Sequence, residues 1–292
     1  MMSPVDYLVI GHVTRDVGDA TVTLGGTVAY AGLAAHALGC TTAILTSADA
    51  DCDLSLLAPL KVNRVPAGQT TTFENRYQGE RRLQWVRHTA QPLAPAHLPR
   101  GWASAPIVHL APVAGEVDPA FISHFQGSLI GMTIQGWLRG WDASGRVSGR
   151  LWEAAQHYLP LADAVILSDE DLPDPALLAH YRAWARLLVV TSGAGGCTVF
   201  LEGEQLKFPA PTVDADNLTG AGDIFAAAFL IHLNRRSAAR ASANWEVAAQ
   251  AARFANEVAA ESVTQPDLRA KVTRLRRFRE QLERERTGEG EG

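Results

Sequence analysis

Apolar residues fall in short blocks along the 292-residue chain, at two alternating spacings. Asp6 to His12 (DYLVIGH) is a continuous apolar run closed by glycine and histidine, the pattern of a strand buried on both faces of a parallel sheet. Thr27 to Leu38 (TVAYAGLAAHAL) follows a Gly-Gly pair, carries apolar side chains at helical spacing, and meets Gly39 where a helix would stop. Thr41 to Thr46 then supplies another strand. The same alternation recurs with strands at Ile107 to Leu110, Leu129 to Thr133, Ala164 to Leu167 and Leu187 to Thr191. Helices are predicted between them near Pro119 to Phe125, Gly149 to Tyr158 and Pro175 to Ala185. Such alternation predicts an α/β domain whose mostly parallel sheet is covered on both faces.

One stretch breaks the rhythm. Thr70 to Tyr77 and Arg81 to His88 alternate side chains at strand spacing around Gln78-Gly79, as a hairpin does, with Phe73, Asn75 and Tyr77 on one face. A hairpin inside an α/β pattern, carrying Arg76, Arg81, Arg82 and Arg87, reads either as a lid over a site or as an exposed ribbon that pairs two copies. The carboxyl end is helical, with one apolar stripe at Trp245, Ala248, Ala252, Ala255 and Ala259. A second stripe, Leu268, Val272, Leu275 and Leu282, lies on a strongly charged helix. No linker divides the chain, so a single domain over 1–287 is expected, with lid segments near 13–23 and 70–88 and a disordered tail at 288–292.

Composition narrows the function. With 47% hydrophobic residues the chain can bury a large core, and its net charge of −5 excludes a general basic field for nucleic acid. Cys40, Cys52 and Cys197 are far apart and odd in number, so neither a disulfide framework nor a zinc site is expected. No apolar run reaches membrane-spanning length, and Met1 to Asp6 has neither a basic flank nor a cleavage site, so a reducing, cytoplasmic setting is expected. The G-x-x-x-x-G-K-[ST] and G-x-S-x-G motifs are absent, and His88, His109 and His232 are scattered as core or surface histidines are. Arg274 to Arg279 is basic but interleaved with apolar residues, as on a solvated helix face.

The chemistry concentrates in Asn217 to Phe225 (NLTGAGDIF), which leads into the apolar run Ala226 to Leu233. Gly220, Ala221 and Gly222 are small enough for main-chain N–H groups to approach an anion, at a helix amino terminus whose dipole favours negative charge. Asp223, next in line, would stand beside a transferring phosphoryl group and could take the proton of an attacking hydroxyl.

These residues resemble the PfkB family of carbohydrate kinases along nearly the whole chain. Thr219-Gly220-Ala221-Gly222-Asp223 matches that family's carboxy-terminal signature. Gly25-Gly26 before an alanine-rich helix, the Thr191-Ser192-Gly193 turn with Gly196, and Phe254-Ala255-Asn256 follow the family's order. The resemblance implies a ribokinase-like three-layer α/β/α sandwich with a small β lid. It also implies transfer of the γ-phosphate of ATP, with Mg²⁺, to a hydroxyl of a small sugar, polyol or nucleoside. By the same resemblance Asp223 is the catalytic base, and the amides of Gly220, Ala221 and Gly222 form an anion hole. Asp16, Gly25 and Gly26 face the acceptor, and Thr191, Gly193, Gly196, Thr219 and Asn256 line the nucleotide site.

The departures are informative. Asn217 stands where the family often has an Asp that helps hold a monovalent cation, which leaves potassium activation open. Ser168-Asp169-Glu170-Asp171 replaces Asn-x-x-Glu, with Asp171 keeping a carboxylate for indirect, water-mediated handling of magnesium. Tyr30 replaces the sugar-binding Asn of ribokinases proper, which argues against ribose. Gln135 and Arg139, four apart after a strand, would point from one helical turn into one cleft, and Trp137 and Trp141 on that turn would pack. With the GHVTRDV and LGGTVAY segments, this Q-G-x-x-R pattern is most similar to plant-type myo-inositol kinases. The alternatives are a nucleoside or other sugar kinase of the same fold, or a non-catalytic ligand-binding homologue, as a monomer or a lid-mediated homodimer.

Overall fold

The computed structural model describes residues 4–18, 21–78, 81–236 and 244–287. The hairpin turn at Gly79, the side chain of Tyr77 and the tail expected at 288–292 lie outside what it describes. Its centre is a nine-stranded sheet in the order Glu204–Phe208, Cys197–Leu201, Leu187–Thr191, Ala164–Ser168, Leu129–Thr133, Ile107–Leu110, Tyr7–Ile10, Thr42–Ala48, Lys61–Pro66. Pairing is parallel from Leu187–Thr191 through to Lys61–Pro66, and antiparallel only at the two strands of the opposite edge. The central strands Tyr7–Ile10, Ile107–Leu110 and Thr42–Ala48 are buried at every position, as strands covered on both faces must be.

The sequence order reverses at the centre of this sheet. From Tyr7–Ile10 the chain builds outward to Lys61–Pro66, then returns to the other side of Tyr7–Ile10 with Ile107–Leu110 and builds the opposite way. Connections therefore diverge beyond the carboxyl ends of those two strands and leave a crevice, the usual ligand position in open α/β sheets. Four helices cover one face: Thr27–Ala37, Ala221–Arg236, Trp245–Val263 and Leu268–Thr287. Ala248, Ala252, Ala255 and Leu275 are fully buried there, as the stripes predict. The other face is closed by shorter pieces, among them Pro119–His124, Ala155–Tyr158 and Leu177–Trp184, around Phe121, Trp137, Trp152 and Tyr181.

A small four-stranded sheet stands over the crevice, ordered Val22–Gly25, Thr14–Val17, Thr71–Gln78, Arg81–His88. Thr14–Val17 pairs in parallel with Thr71–Gln78, so two segments distant in sequence make one layer. Its root is tied to the main sheet by Asp49. Arg15 donates to both Asp49 oxygens (2.7 and 2.9 Å), and the amide and hydroxyl of Thr70 donate to one of them (both 2.8 Å). Burial pushes the Asp49 carboxyl upward, but the donors on Thr70 and Arg15 hold it below the usual carboxylate range.

Three expectations are corrected. The helix expected over Gly149 to Tyr158 is the end of a short strand, Val147–Gly149, followed by the four-residue helix Ala155–Tyr158. Pro119 to Phe125 is a 3-10 segment ending at His124. Gln135 and Arg139 do not share a helical turn: Gln135–Leu138 is a 3-10 turn, and Arg139 (φ −99°, ψ 131°) already begins the extended strand Arg139–Trp141. Trp137 is therefore buried and stacked on Trp152 at 4.5 Å, whereas Trp141 is exposed on the strand.

Candidate functional site

The crevice is narrow at its floor. A side chain on Gly11, just beyond Tyr7–Ile10, would run into the carbonyl of Ala111, just beyond Ile107–Leu110, so glycine is what lets the two exits lie together. Glu116 holds those exits in place. Buried to 6% exposure, its carboxylate accepts from the amides of His12 (2.9 Å), Val113 (3.0 Å) and Ala114 (2.7 Å). His12 is fully buried beside it. Its Nε2 lies 2.9 Å from the carbonyl of Gln91, which can only accept, so Nδ1 accepts from the Thr71 hydroxyl at 2.7 Å.

At the head of the helix Ala221–Arg236, Gly220 has φ +77°, and its carbonyl accepts the first helical bond from the amide of Ile224 (2.9 Å). The left-handed backbone and the neighbouring ring both require glycine, because a Cβ here would enter the aromatic ring of Tyr30. Tyr30 is 8% exposed and serves as the wall on which the turn rests. The Ala221 amide turns back to the carbonyl of Leu218 (3.1 Å), while Gly222 is exposed with open space at its Cα.

Asp223 stands in the first helical turn, partly exposed into the crevice. Desolvation by the surrounding protein raises its pKa to about 6, against a donated hydrogen bond from the Thr27 hydroxyl and the positive charge of Arg139. The negative charges of Asp171 and Asp16 push the same way as desolvation. Three carboxylates and one guanidinium thus converge from four elements: the helix head, the small sheet, the Arg139 strand and the turn after Ala164–Ser168.

Asp16 accepts from the Thr14 hydroxyl at 2.8 Å, and a side chain on Gly25 would strike both. Gly26, with φ +89°, has no room for a Cβ against the carbonyl of His12. Phe73, opposite Asp16 in register, lies under the Arg139 guanidinium at 5.6 Å, and Arg139 also donates to the carbonyl of Val113 (3.3 Å). Gln135 reaches the same region, donating from Nε2 to Asp171 Oδ1 at 2.9 Å. Of the expected lid arginines, Arg76 and Arg87 both pair with Glu74, one position on from Phe73 and so on the opposite face of the strand.

Asp171 accepts from Gln135 on one oxygen and from the Ser168 amide on the other (3.1 Å). Each carboxylate oxygen keeps a further acceptor site, which suits holding magnesium through water. No cluster of three or more His, Cys, Asp or Glu side chains able to hold a metal occurs among the described residues.

On the far side of the turn, Thr191 donates to the carbonyl of Leu167 (3.4 Å), and Gly193 (φ +50°) and Gly196 (φ +84°) bound a 3-10 turn. Gly193 opens onto free space, whereas a Cβ on Gly196 would meet the carbonyl of Phe208. Asn256, 4% exposed, donates to the carbonyls of Phe208 (3.0 Å) and Pro209 (3.3 Å), so it shapes this wall from behind. The Thr219 amide donates to Asn217 Oδ1 (2.8 Å), and Asn217 Nδ2 donates to the carbonyl of Pro266 (2.7 Å). Thr27, Glu116 and Lys271, all part of this arrangement, carry no signal in the sequence that separates them from ordinary helix and loop residues.

Residues 146–274 match the family model described as pfkB family carbohydrate kinase. A fructokinase of Klebsiella pneumoniae is 32% identical over 157 residues, 48% of this chain and 50% of that protein. An inositol 3-kinase of Oryza sativa subsp. japonica is 28% identical over 256 residues, 78% of this chain and 63% of that protein. The matches thus span about half to under two thirds of the length of these relatives. A solved structure of a pyrophosphate-dependent kinase in the ribokinase family, complexed with a pyrophosphate analog and myo-inositol, superposes with a TM-score of 0.76 at 23% identity. It covers 91% of this chain and 98% of that one, and the shared fold is ribokinase-like.

Proposed function

We propose that this chain of the pfkB carbohydrate kinase family moves the terminal phosphoryl group of a polyphosphate donor to a hydroxyl of a small sugar or polyol. One observation carries the reading: Asp223, its pKa raised to about 6, sits at a glycine-opened helix head and faces Thr27, Arg139, Asp16 and Asp171 across a roofed crevice. A carboxylate of that pKa is mostly ionised at neutral pH yet basic enough to take a hydroxyl proton.

In this mechanism Asp16 accepts hydrogen bonds from acceptor hydroxyls, and Gly25 and Gly26 let the ring lie against the backbone. Arg139, stacked on Phe73, steadies the acceptor from the other side. Asp223 removes the proton as the oxygen approaches phosphorus in line. The Ala221 amide is spent on Leu218, so the first-turn amides that follow it, from Gly222 onward, stabilise the charge that develops on the phosphoryl oxygens. Magnesium, held through water at Asp171, would supply further positive charge to the donor phosphates. The small sheet acts as a lid that keeps water from competing with the acceptor.

The donor is read as ATP, seated between Gly193 and the Phe208–Pro209 wall that Asn256 supports from behind. Inorganic pyrophosphate is a second reading, favoured by the ribokinase-family structure complexed with a pyrophosphate analog. Among acceptors an inositol is preferred, supported by the inositol 3-kinase relative and by the Gln135–Asp171–Arg139 arrangement beside Asp223. Inositols, hexoses, pentoses and nucleosides, each assayed with ATP and with pyrophosphate, separate these options. Asp223→Asn should keep the fold and donor binding while lowering turnover by about 10²–10⁴-fold, the scale of a lost general base. Near-normal turnover in that variant removes Asp223 from the chemistry. Saturable acceptor binding with no transfer from either donor would favour a ligand-binding homologue instead.

A further inference from the structure

A cation lies directly behind the glycine-rich turn. Lys271 is 1% exposed, and its Nζ donates to the main-chain oxygens of Asn217 (2.6 Å) and Thr219 (2.9 Å). Those oxygens flank Leu218 in the segment that ends at Gly220, so the ammonium bridges both sides of the bend from which the Asp223 helix starts. The same bend is pinned from the main chain, where the amides of Asp216 and Asn217 donate to the carbonyl of Val263 (2.8 and 3.0 Å).

The placement is unfavourable for a lysine unless the charge is used. Lys271 lies in the first turn of the helix Leu268–Thr287, where the dipole disfavours a cation, and it is withdrawn from water. Burial lowers its pKa to about 8 while the negative charge of Asp216 acts the other way, so the group is mostly protonated at neutral pH. Its partners are carbonyl dipoles, the ligands that a small free monovalent cation would take. Asn217, a neutral amide, is already committed to Pro266 and Thr219.

We infer that the Lys271 ammonium is a tethered monovalent cation that fixes the Asn217–Gly220 bend and sets a positive charge behind the donor-phosphate site, so that transfer needs no free potassium or ammonium. Lys271 is a positioning residue acting through the bend, and this inference rests on the phosphotransfer reading above. Lys271→Met keeps most of the stem and leaves two carbonyl oxygens facing a space the size of an ammonium ion. A free cation of that charge and size can refill the space.

The test is a titration of the full chain at constant ionic strength with choline, sodium, potassium or ammonium chloride. Wild-type turnover should change by less than about twofold among the four salts. Lys271→Met should lose about tenfold or more in choline, the scale of one lost charged hydrogen bond, and recover most of that in ammonium or potassium. Wild-type turnover that climbs severalfold with potassium overturns the inference, as does a folded Lys271→Met whose lower turnover ignores every salt. The thermal midpoint needs no turnover: it should rise with ammonium over choline in Lys271→Met and stay flat in the wild type. If no acceptor is phosphorylated at all, the kinase reading fails while these midpoints still decide the role of Lys271.

Discussion

Gly220→Ala tests the geometry of the turn most sharply. Two separate penalties apply. An L-residue held at φ +77° costs about 1–2 kcal/mol, because its Cβ crowds the following carbonyl. The new methyl would also enter the Tyr30 ring, which is 8% exposed against the fully buried Ala31, Ala34 and Leu33 region of its helix and has little room to retreat. Overpacking of that kind costs about 1–3 kcal/mol. The sum, about 2–5 kcal/mol, is a large share of the roughly 5–15 kcal/mol that holds an ordinary domain folded. Urea denaturation with an unchanged slope should report it as a lower midpoint. The two penalties separate in a cycle with Tyr30→Leu, since without the ring Gly220→Ala should lose only the backbone part, about 1–2 kcal/mol. Equal costs with and without the ring would refute the claim that Tyr30 confines the turn.

Two further outcomes follow from the site. With the Asp223 pKa raised to about 6, turnover should fall as pH drops through that value, because the base is lost on protonation. Arg139→Met removes a positive charge that favours the ionised form and should move this acid limb upward, whereas Asp16→Asn removes a negative charge and should move it downward. Shifts of the same sign in both variants would contradict the electrostatic account. Glu116→Gln replaces an acceptor of three amides by a group that presents N–H to one of them. It should cost about 1.5–3 kcal/mol in urea denaturation, as lost hydrogen bonds to a charged group do. A loss under about 0.5 kcal/mol, the range of ordinary surface substitutions, would show that the crevice walls hold without it.

The central strands and the helix heads were legible because their physics is local. DYLVIGH can hardly be anything but a buried strand, and Gly220 before a long apolar run marks a helix start. The edge strand Glu204–Phe208 leaves no such pattern, because four of its five residues are exposed and carry no buried face. The spacing of Gln135 and Arg139 brings them to the site, but no helical turn joins them. The chain there leaves a 3-10 turn for a strand, and Arg139 reaches the crevice from extended backbone. Lys271 was invisible for a different reason. In KVTRLRR it looks like its solvated neighbours, and its partners are main-chain oxygens more than fifty positions earlier, which no side-chain pattern records.

The parallel pairing of Thr14–Val17 with Thr71–Gln78 also constrains the order in which the molecule can assemble. That contact closes a loop of more than fifty residues before any of its hydrogen bonds can form, and such long-range closures are slow. The intervening chain shortens the search, since Thr42–Ala48 and Lys61–Pro66 dock beside Tyr7–Ile10 and bring Asp49 within reach of both Arg15 and Thr70. Closing that loop costs least once half of the main sheet is in place, and the Asp49 carboxylate then joins the roof to it through Arg15 and Thr70.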